Sequence, residues 1–255
     1  MVLKEIMRDG AAVIVDASLP STLDVSFFVP CYNEEQRVLG TVDKLVRVSA
    51  ELRLAFEILV FDDCSTDRTV EVVHEYKRAN PTIPLRLFVN STNRGIARNF
   101  IEGAFLGNGK YYRVVCGDDV EPFDTLRKIL ARAGDADIII PYHTSVIGRP
   151  LHRRLISRLY TTLVNLASGR SLNYYNGLPL YRRRDVVRFH VEATGLGYQA
   201  EFLLRLLQEG RSYVQIPLVA TDTEGSSALN MRNFISVGFS IFKIMVGRVR
   251  ALLYG

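Results

Sequence analysis

The chain has 255 residues, of which 48% are hydrophobic, and this is enough for one large α/β domain with a buried core. Its formal net charge of +5 favours anionic partners but does not choose among nucleotide, phospholipid and nucleic acid. The three cysteines form no CxxC pair, which argues against a disulfide scaffold or a structural zinc site and fits a reducing cytosol.

Residues 1–24 carry charges throughout and show no clear periodicity, so we expect an N-terminal extension that is not a signal peptide. No later stretch of about 18 residues is uncharged and apolar, and the sequence therefore predicts no membrane-spanning helix. Together with the cysteine usage, these features predict a cytoplasmic protein.

Short apolar runs alternate with segments of helical spacing through the first half of the chain. The predicted strands, in chain order, are 25–30, 56–61, 85–89 and 111–115. A helix is predicted after each of the first three, and Asn33 is the predicted N-cap of the first helix, with Glu34 and Glu35 in its first turn. This β-α-β-α-β-α-β order predicts an α/β fold with a mostly parallel central sheet and helices on both faces.

The second half of the chain is less regular. Its predicted elements are a strand at 137–142, a basic amphipathic helix at 149–170, a loop at 173–181 that enters a short strand, a helix that opens at 195–201, a strand at 213–219 and a last apolar helix at 234–253. In the helix at 149–170, four leucines lie among arginines: Leu155, Leu159, Leu163 and Leu166.

Polar side chains follow three of the predicted strands, at residues 30–34, 62–67 and 118–121. The carboxyl ends of parallel strands share one edge of a sheet, and ligands of such sheets bind there. Within the third cluster, the adjacent carboxylates of Asp118 and Asp119 repel each other unless a cation lies beside them. A hard divalent cation that bridges to phosphate is one solution, and a solvated acidic turn is the alternative.

Five short motifs follow one another along the chain: VPCYNEE at 29–35, FDDCSTD at 61–67, NRG at 93–95, GDD at 117–119 and QAE at 199–201. Together they resemble family 2 glycosyltransferases, which have the GT-A (Rossmann-like) fold. Within that family the chain most resembles polyprenyl-phosphate glycosyltransferases of the dolichol-phosphate-mannose-synthase type. The predicted organisation is an extension at 1–24, a glycosyltransferase domain at 25–230 (nucleotide-binding half 25–122, acceptor half 123–230) and an amphipathic helix at 231–255.

The resemblance implies a set of residues that bind the nucleotide of a sugar donor carrying UDP or GDP. They are Pro30, Tyr32 and Glu34 at the base and ribose, Asp63 on the base, Arg94 at a phosphate or the base, and Asp118 at the middle position of the metal motif. For Asp63 the alternative is a carboxylate that caps the core, and for Arg94 it is a solvated side chain.

The resemblance also implies a divalent metal, Mg²⁺ or Mn²⁺, that neutralises the departing diphosphate. Its ligands would be Asp119, at the second acid of the family's Asp-X-Asp motif, and Glu121. Gly117 stands where we align the first acid, so the ligand set departs from the pattern of the family.

Glu201 lies where the family often has its catalytic acid residue. With an alcohol acceptor, this carboxylate would remove the acceptor proton. With a phosphate acceptor no strong base is needed, and Glu201 would only position groups. An exposed acid in the first turn of a helix is the remaining alternative.

Two departures concern the acceptor side. Polyprenyl-phosphate enzymes have basic residues where this chain has the segments 176–179 (NGLP) and 225–228 (GSSA). Either the acceptor differs, or Arg182, Arg183 and Arg232 replace the missing cations.

The implied function is inverting transfer of a sugar from a nucleotide diphosphate donor to a polyprenyl phosphate. The alternatives are transfer to a saccharide or other hydroxyl, and a catalytically silent protein that binds nucleotide sugars. The helix at 234–253 and the basic helix at 149–170 predict peripheral contact with the cytoplasmic membrane face, with core packing or a homodimer as the alternative. Nucleic acid is not an expected partner, because the basic residues lack interleaved aromatics apart from Tyr160.

Overall fold

The computed structural model describes residues 3–8, 11–16, 23–147, 151–175, 177–188 and 198–221. The chain divides into two compact units: Met1–Ile139 with Leu178–His190, and Ile140–Gly177 with Val191–Gly255. The predicted C-terminal helix at 234–253 and Arg232 lie outside the described residues.

The strands are β1 (Leu3–Arg8), β2 (Ala11–Asp16), β3 (Leu23–Cys31), β4 (Phe56–Asp62), β5 (Leu85–Val89), β6 (Gly109–Val114), β7 (Ile138–Ile147), β8 (Leu180–Arg182) and β9 (Tyr213–Thr221). The helices are α1 (Val38–Glu51), α2 (Thr69–Ala79), α3 (Ile96–Leu106), α4 (Phe123–Leu130), α5 (Leu151–Ser168), α6 (Arg183–Val187) and α7 (Tyr198–Gln208).

Seven strands form one sheet in the order β5-β4-β3-β6-β8-β7-β9. The neighbours from β5 to β6 pair in parallel, whereas β8 is antiparallel to both β6 and β7. The prediction of an α/β fold with a mostly parallel sheet is therefore confirmed. Strands β1 and β2 form a separate antiparallel pair within the segment for which the sequence showed no pattern.

The core of the first unit is centred on β3 and β4. Phe27, Phe28 and Val29 are fully buried, because a central parallel strand is covered on both faces. The Phe28 ring packs edge-on against Phe61 at 5.2 Å between centroids and lies 6.1 Å from Phe100 of α3. This rigid centre fixes the positions at which the chain leaves the strands.

The predicted start of the first helix is wrong. Helix α1 begins at Val38 with Arg37 at the N-cap position, and Asn33 lies four residues earlier with a φ of 59°. Asn33 is fixed across the strand ends instead: its N–H donates to Ser65 Oγ at 2.9 Å, and its Oδ1 accepts the N–H of Thr66 at 2.8 Å. Asparagine tolerates this left-handed conformation better than most residues. Glu34 and Glu35 consequently belong to a turn that precedes the helix.

Two short helices were not predicted, α4 and α6. In α4 the side chains of Leu126, Ile129 and Leu130 are buried, at the i, i+3, i+4 spacing of a helix that covers a core. Among the described residues, no helix is long and apolar enough to cross a membrane.

Candidate active site

The carboxyl ends of β3, β4 and β6 bring the three predicted polar clusters to one edge of the sheet. Cys31 lies in register with Asp62, and its carbonyl accepts the N–H of Asp63 at 2.9 Å. The Pro30 carbonyl accepts the N–H of Gly117 at 3.2 Å. The loops that carry Glu34, Asp63 and Asp118 are thus held together by backbone hydrogen bonds.

The loop after β3 presents one exposed aromatic residue and one partly buried acid. Tyr32 is 53% exposed, which leaves its ring accessible to a ligand. The N–H of Glu34 donates to Thr69 Oγ1 at 2.8 Å, and its carboxylate pairs with Arg37 at 3.3 Å. Burial raises the pKa of the Glu34 carboxyl; Arg37 opposes this, and the negative charges of Asp118 and Asp67 raise the pKa further.

Asp63 holds the loop that precedes α3. Its Oδ1 accepts the N–H of Arg94 at 2.8 Å and the Asn90 side-chain amide at 2.9 Å, and its Oδ2 accepts the N–H of Gly95 at 2.9 Å. Burial raises the pKa of the Asp63 carboxyl, but these hydrogen bonds outweigh it and bring the pKa below its ordinary value. Asp63 is therefore a buried, ionised carboxylate that fixes the residues around Gly95.

The neighbouring Asp62 and Arg94 are also engaged inside the protein. Asp62 is 1% exposed and its Oδ2 accepts the N–H of Ser65 at 3.0 Å. The Arg94 guanidinium pairs with the buried carboxylate of Glu102 at 2.8 Å. In this arrangement Arg94 neutralises a buried acid and is not a solvated side chain.

Asp119 faces helix α1. Its Oδ1 lies 2.9 Å from Lys44 Nζ, and the same ammonium group donates to the backbone carbonyls of Asp119 and Glu121 at 2.8 and 3.0 Å. The carboxylate packs so close to Gly40 that a Cβ there would lie 2.5 Å from Asp119 Oδ2. A φ of 57° at Asp119 turns the chain into this position.

Glu121 is paired with a buried cation. Its two carboxylate oxygens accept hydrogen bonds from the two terminal nitrogens of Arg113, one of them at 2.9 Å. The Arg113 side chain is 0% exposed and that of Glu121 is 19% exposed. A buried guanidinium needs such a bidentate acid, because an uncompensated buried charge is strongly destabilising.

These contacts argue against Asp119 and Glu121 as the ligands of a metal ion. Asp119 and Glu121 already neutralise Lys44 and Arg113, and the described residues contain no group of three or more His, Cys, Asp or Glu arranged to hold a metal ion. An aspartate at position 117, where the motif of the family has its first acid, would also be crowded, since a Cβ at Gly117 would lie 2.6 Å from Cys31 Sγ.

Asp118 is the acid of this stretch that pairs with neither Lys44 nor Arg113. It is half-buried, and its Oδ1 accepts the N–H of Val120 at 3.3 Å. Its negative charge raises the pKa of the Glu34 carboxyl, so the two acids share one environment. Burial and the charge of Asp118 also raise the pKa of the Cys116 thiol to about 12, which keeps that thiol protonated.

Sequence reasoning did not identify Lys44 and Arg113, although one signal was present. Arg113 interrupts an apolar strand between Tyr112 and Val114, and a charge at such a position requires a buried acid as partner. Lys44 gave no signal, because its partner Asp119 is 75 residues away in the sequence.

The residues predicted to serve the acceptor lie on different elements: Arg182 ends β8, Arg183 begins α6, and Glu201 is on α7. Glu201 is in the first turn of α7, in the second unit, and its Oε2 is buried without a hydrogen-bond partner among the described residues. Arg183, in the first unit, is 5% exposed and donates to the carbonyls of Gly109 and Ala104, which leaves it unsuited to contact an acceptor phosphate. Arg182 pairs with Asp137 at 3.6 Å.

Comparison with known proteins gives a match to the family model described as "Glycosyl transferase family 2", over residues 26–196. A dolichyl-phosphate beta-glucosyltransferase from Dictyostelium discoideum is 29% identical in an alignment of 110 positions that covers 41% of this chain and 34% of the relative. The matched part of the chain thus spans about a third of the length of that curated relative.

The solved structures that are similar in fold include two complexes with a sugar donor. S. aureus TarS in complex with UDP-GlcNAc has a TM-score of 0.59 at 20% identity, over 87% of this chain and 66% of the TarS chain. The mannosyltransferase PcManGT from Pyrobaculum calidifontis, in complex with GDP-Man and Mn²⁺, has a TM-score of 0.62 at 17% identity, over 92% and 66% of the two chains. At these identities the likeness concerns the fold, and it agrees with the GT-A architecture expected from the sequence.

Proposed function

The chain belongs to glycosyl transferase family 2, and we propose that it moves a sugar, with inversion, from a nucleotide diphosphate donor to a polyprenyl phosphate. The observation that carries the proposal is the convergence of Tyr32, Glu34 and Asp118 at the carboxyl edge of the sheet, beside the loop that Asp63 fixes. Ligands of open α/β sheets bind at this edge.

On the donor side, the proposed roles follow from exposure and charge. The exposed ring of Tyr32 offers an apolar face to the nucleotide base. Asp118 and Glu34 offer carboxylate oxygens, which accept hydrogen bonds from hydroxyl groups of the ribose or the sugar. Asp63 acts through the loop it holds, because its oxygens already accept three hydrogen bonds.

On the acceptor side, the relative from Dictyostelium discoideum is named for transfer to dolichyl phosphate, and this supports a polyprenyl phosphate here. Such an acceptor is ionised without a base, so Glu201 would position it. The buried Oε2 of Glu201, which has no hydrogen-bond partner among the described residues, favours a second candidate, transfer to a hydroxyl group. A carboxylate oxygen in that state is suited to accept a proton from an alcohol.

Mn²⁺ and the donor GDP-Man are both bound in the similar structure of PcManGT. In this chain the carboxylates of Asp119 and Glu121 neutralise cations instead, so the proposed reaction has no metal-dependent step. The experiment below therefore measures donor binding both with and without Mn²⁺.

The experiment has two stages. Thermal shift with UDP-, GDP- and dTDP-sugars, each with and without Mn²⁺, selects the donor, and release of nucleoside diphosphate is then measured with a polyprenyl phosphate or a saccharide as acceptor. We expect one donor to raise the melting temperature and the polyprenyl phosphate to stimulate release. Stimulation by the saccharide alone would favour the hydroxyl acceptor. Donor binding without turnover on either acceptor would indicate a silent nucleotide-sugar-binding protein and contradict the proposal.

A further inference from the structure

Helix α5 carries a row of leucines on its exposed face. The exposed fractions are 64% for Leu155, 60% for Leu159, 42% for Leu163 and 69% for Leu166. Spacings of four, four and three residues place these side chains along one side of a helix. We call this row the leucine stripe. On the opposite side of α5, Val164 is fully buried and Ser168 is 8% exposed, so the helix already packs inward through another face.

Charge on α5 has a single sign. Arg154 and Arg158 are exposed, and each immediately precedes one of the leucines of the stripe. The 18 residues of the helix include three arginines and no aspartate or glutamate.

An exposed apolar row with a flank of arginines matches the physical chemistry of an interfacial helix. Leucines enter the boundary between head groups and acyl chains, and arginines bind lipid phosphates while their stems lie along the apolar surface. Anionic lipids attract basic segments with a strength that falls as salt screens the charges. The net charge of +5 acts in the same direction.

We propose that the leucine stripe and the two flanking arginines of α5 dock this protein on an anionic phospholipid surface. This docking is linked to the proposed function through the acceptor, because a polyprenyl phosphate resides in a membrane. The docking surface itself rests on the exposure of the leucines and on the charge of the helix.

Vesicle co-sedimentation of the full chain tests this. The probes are vesicles of phosphatidylcholine alone and of phosphatidylcholine mixed with phosphatidylglycerol, at low and at high salt. Two variants disrupt the surface, Leu155→Ser with Leu159→Ser, and Arg154→Gln with Arg158→Gln. The matched control, Arg78→Gln with Lys128→Gln, removes the same charge from exposed positions on α2 and α4. Circular dichroism checks that each variant is folded.

We expect binding to the anionic vesicles that drops about tenfold at high salt and roughly tenfold or more in each α5 variant, with the control close to wild type. No binding at low salt, or equal binding by the wild type and the leucine variant, would overturn the proposal. A dimer in light scattering that the leucine variant dissociates, without vesicle binding, would identify a second copy of the chain as the occupant and also overturn it.

Donor thermal shift is measured on the same variants, so that failure of this proposal can be separated from failure of the proposed function. If the donor binds and the vesicles do not, only the docking surface is refuted. If the vesicles bind through α5 and no donor binds, only the proposed function is refuted.

Discussion

The pairing of Glu121 with Arg113 yields a prediction that separates two roles for this acid. If Glu121 neutralises the buried guanidinium, the substitution Glu121→Gln removes the countercharge of an Arg113 side chain that is 0% exposed. If Glu121 is a metal ligand instead, the same substitution lowers the affinity for Mn²⁺ and leaves the stability of the metal-free protein nearly unchanged.

The expected cost follows from the geometry. Removing one partner of a buried ion pair destabilises a protein by about 3–5 kcal/mol. Glutamine keeps one oxygen that can accept a hydrogen bond from Arg113, and the Glu121 side chain is 19% exposed, so we expect a smaller loss, about 2–3 kcal/mol. For a chain of this size, that corresponds to a fall in melting temperature of roughly 5–10 °C.

Far-UV circular dichroism is the suitable assay, because the chain contains no tryptophan for fluorescence. Thermal unfolding of the wild type and of Glu121→Gln is compared with that of Glu51→Gln, which removes the same charge from an exposed pair, 3.8 Å from Arg127. We expect the control to shift by less than about 1 kcal/mol. Equal melting temperatures for all three proteins without metal would refute the structural role of Glu121.

Two further predictions concern Asp63 and Glu201. Because hydrogen bonds bring the pKa of Asp63 below its ordinary value of 3.8, its stabilising effect is present above that value and is lost as the pH falls through the folded pKa. Asp63→Asn should therefore destabilise the protein by about 1–3 kcal/mol at neutral pH, and the difference from wild type should shrink in acid; a difference independent of pH in urea titrations would contradict this. Glu201→Gln should lower turnover by roughly 10²–10⁴ with unchanged donor affinity if the acceptor is a hydroxyl, and a small effect on kcat would favour a phosphate acceptor, which ionises on its own.

The four strands of the first half could be predicted from the sequence because each is a short, mostly apolar run. The strand at 85–89 agrees with β5 at both ends, and the other three of the first half agree within a few residues. The first helix was placed too early because Asn33 has the residue type of an N-cap. Its hydrogen bonds go to Ser65 and Thr66, more than 30 residues away, and these contacts are not visible in a local pattern.

The convergence of the three polar clusters could also be predicted, since it follows from strand order, but the direction of each acid could not. Asp118 and Asp119 are neighbours of the same residue type, and only the left-handed backbone at Asp119 turns its carboxylate toward Lys44. The partners of Asp119 and Glu121 lie on α1 and within β6, and their charges decide whether these acids are available to a ligand.

The proposed contact between Asp118 and a nucleotide sugar at the carboxyl edge of the sheet can be tested by a kinetic comparison. With the donor that stabilises the wild type, kcat/KM for release of nucleoside diphosphate is measured for wild type, Asp118→Asn and the exposed control Asp124→Asn, whose side chain is 72% exposed. We expect a loss of roughly tenfold to a hundredfold for Asp118→Asn, as for an unpaired polar contact of about 1–3 kcal/mol, and no loss for the control. Wild-type kcat/KM in a folded Asp118→Asn variant would show that Asp118 makes no contact with the donor that matters for the reaction.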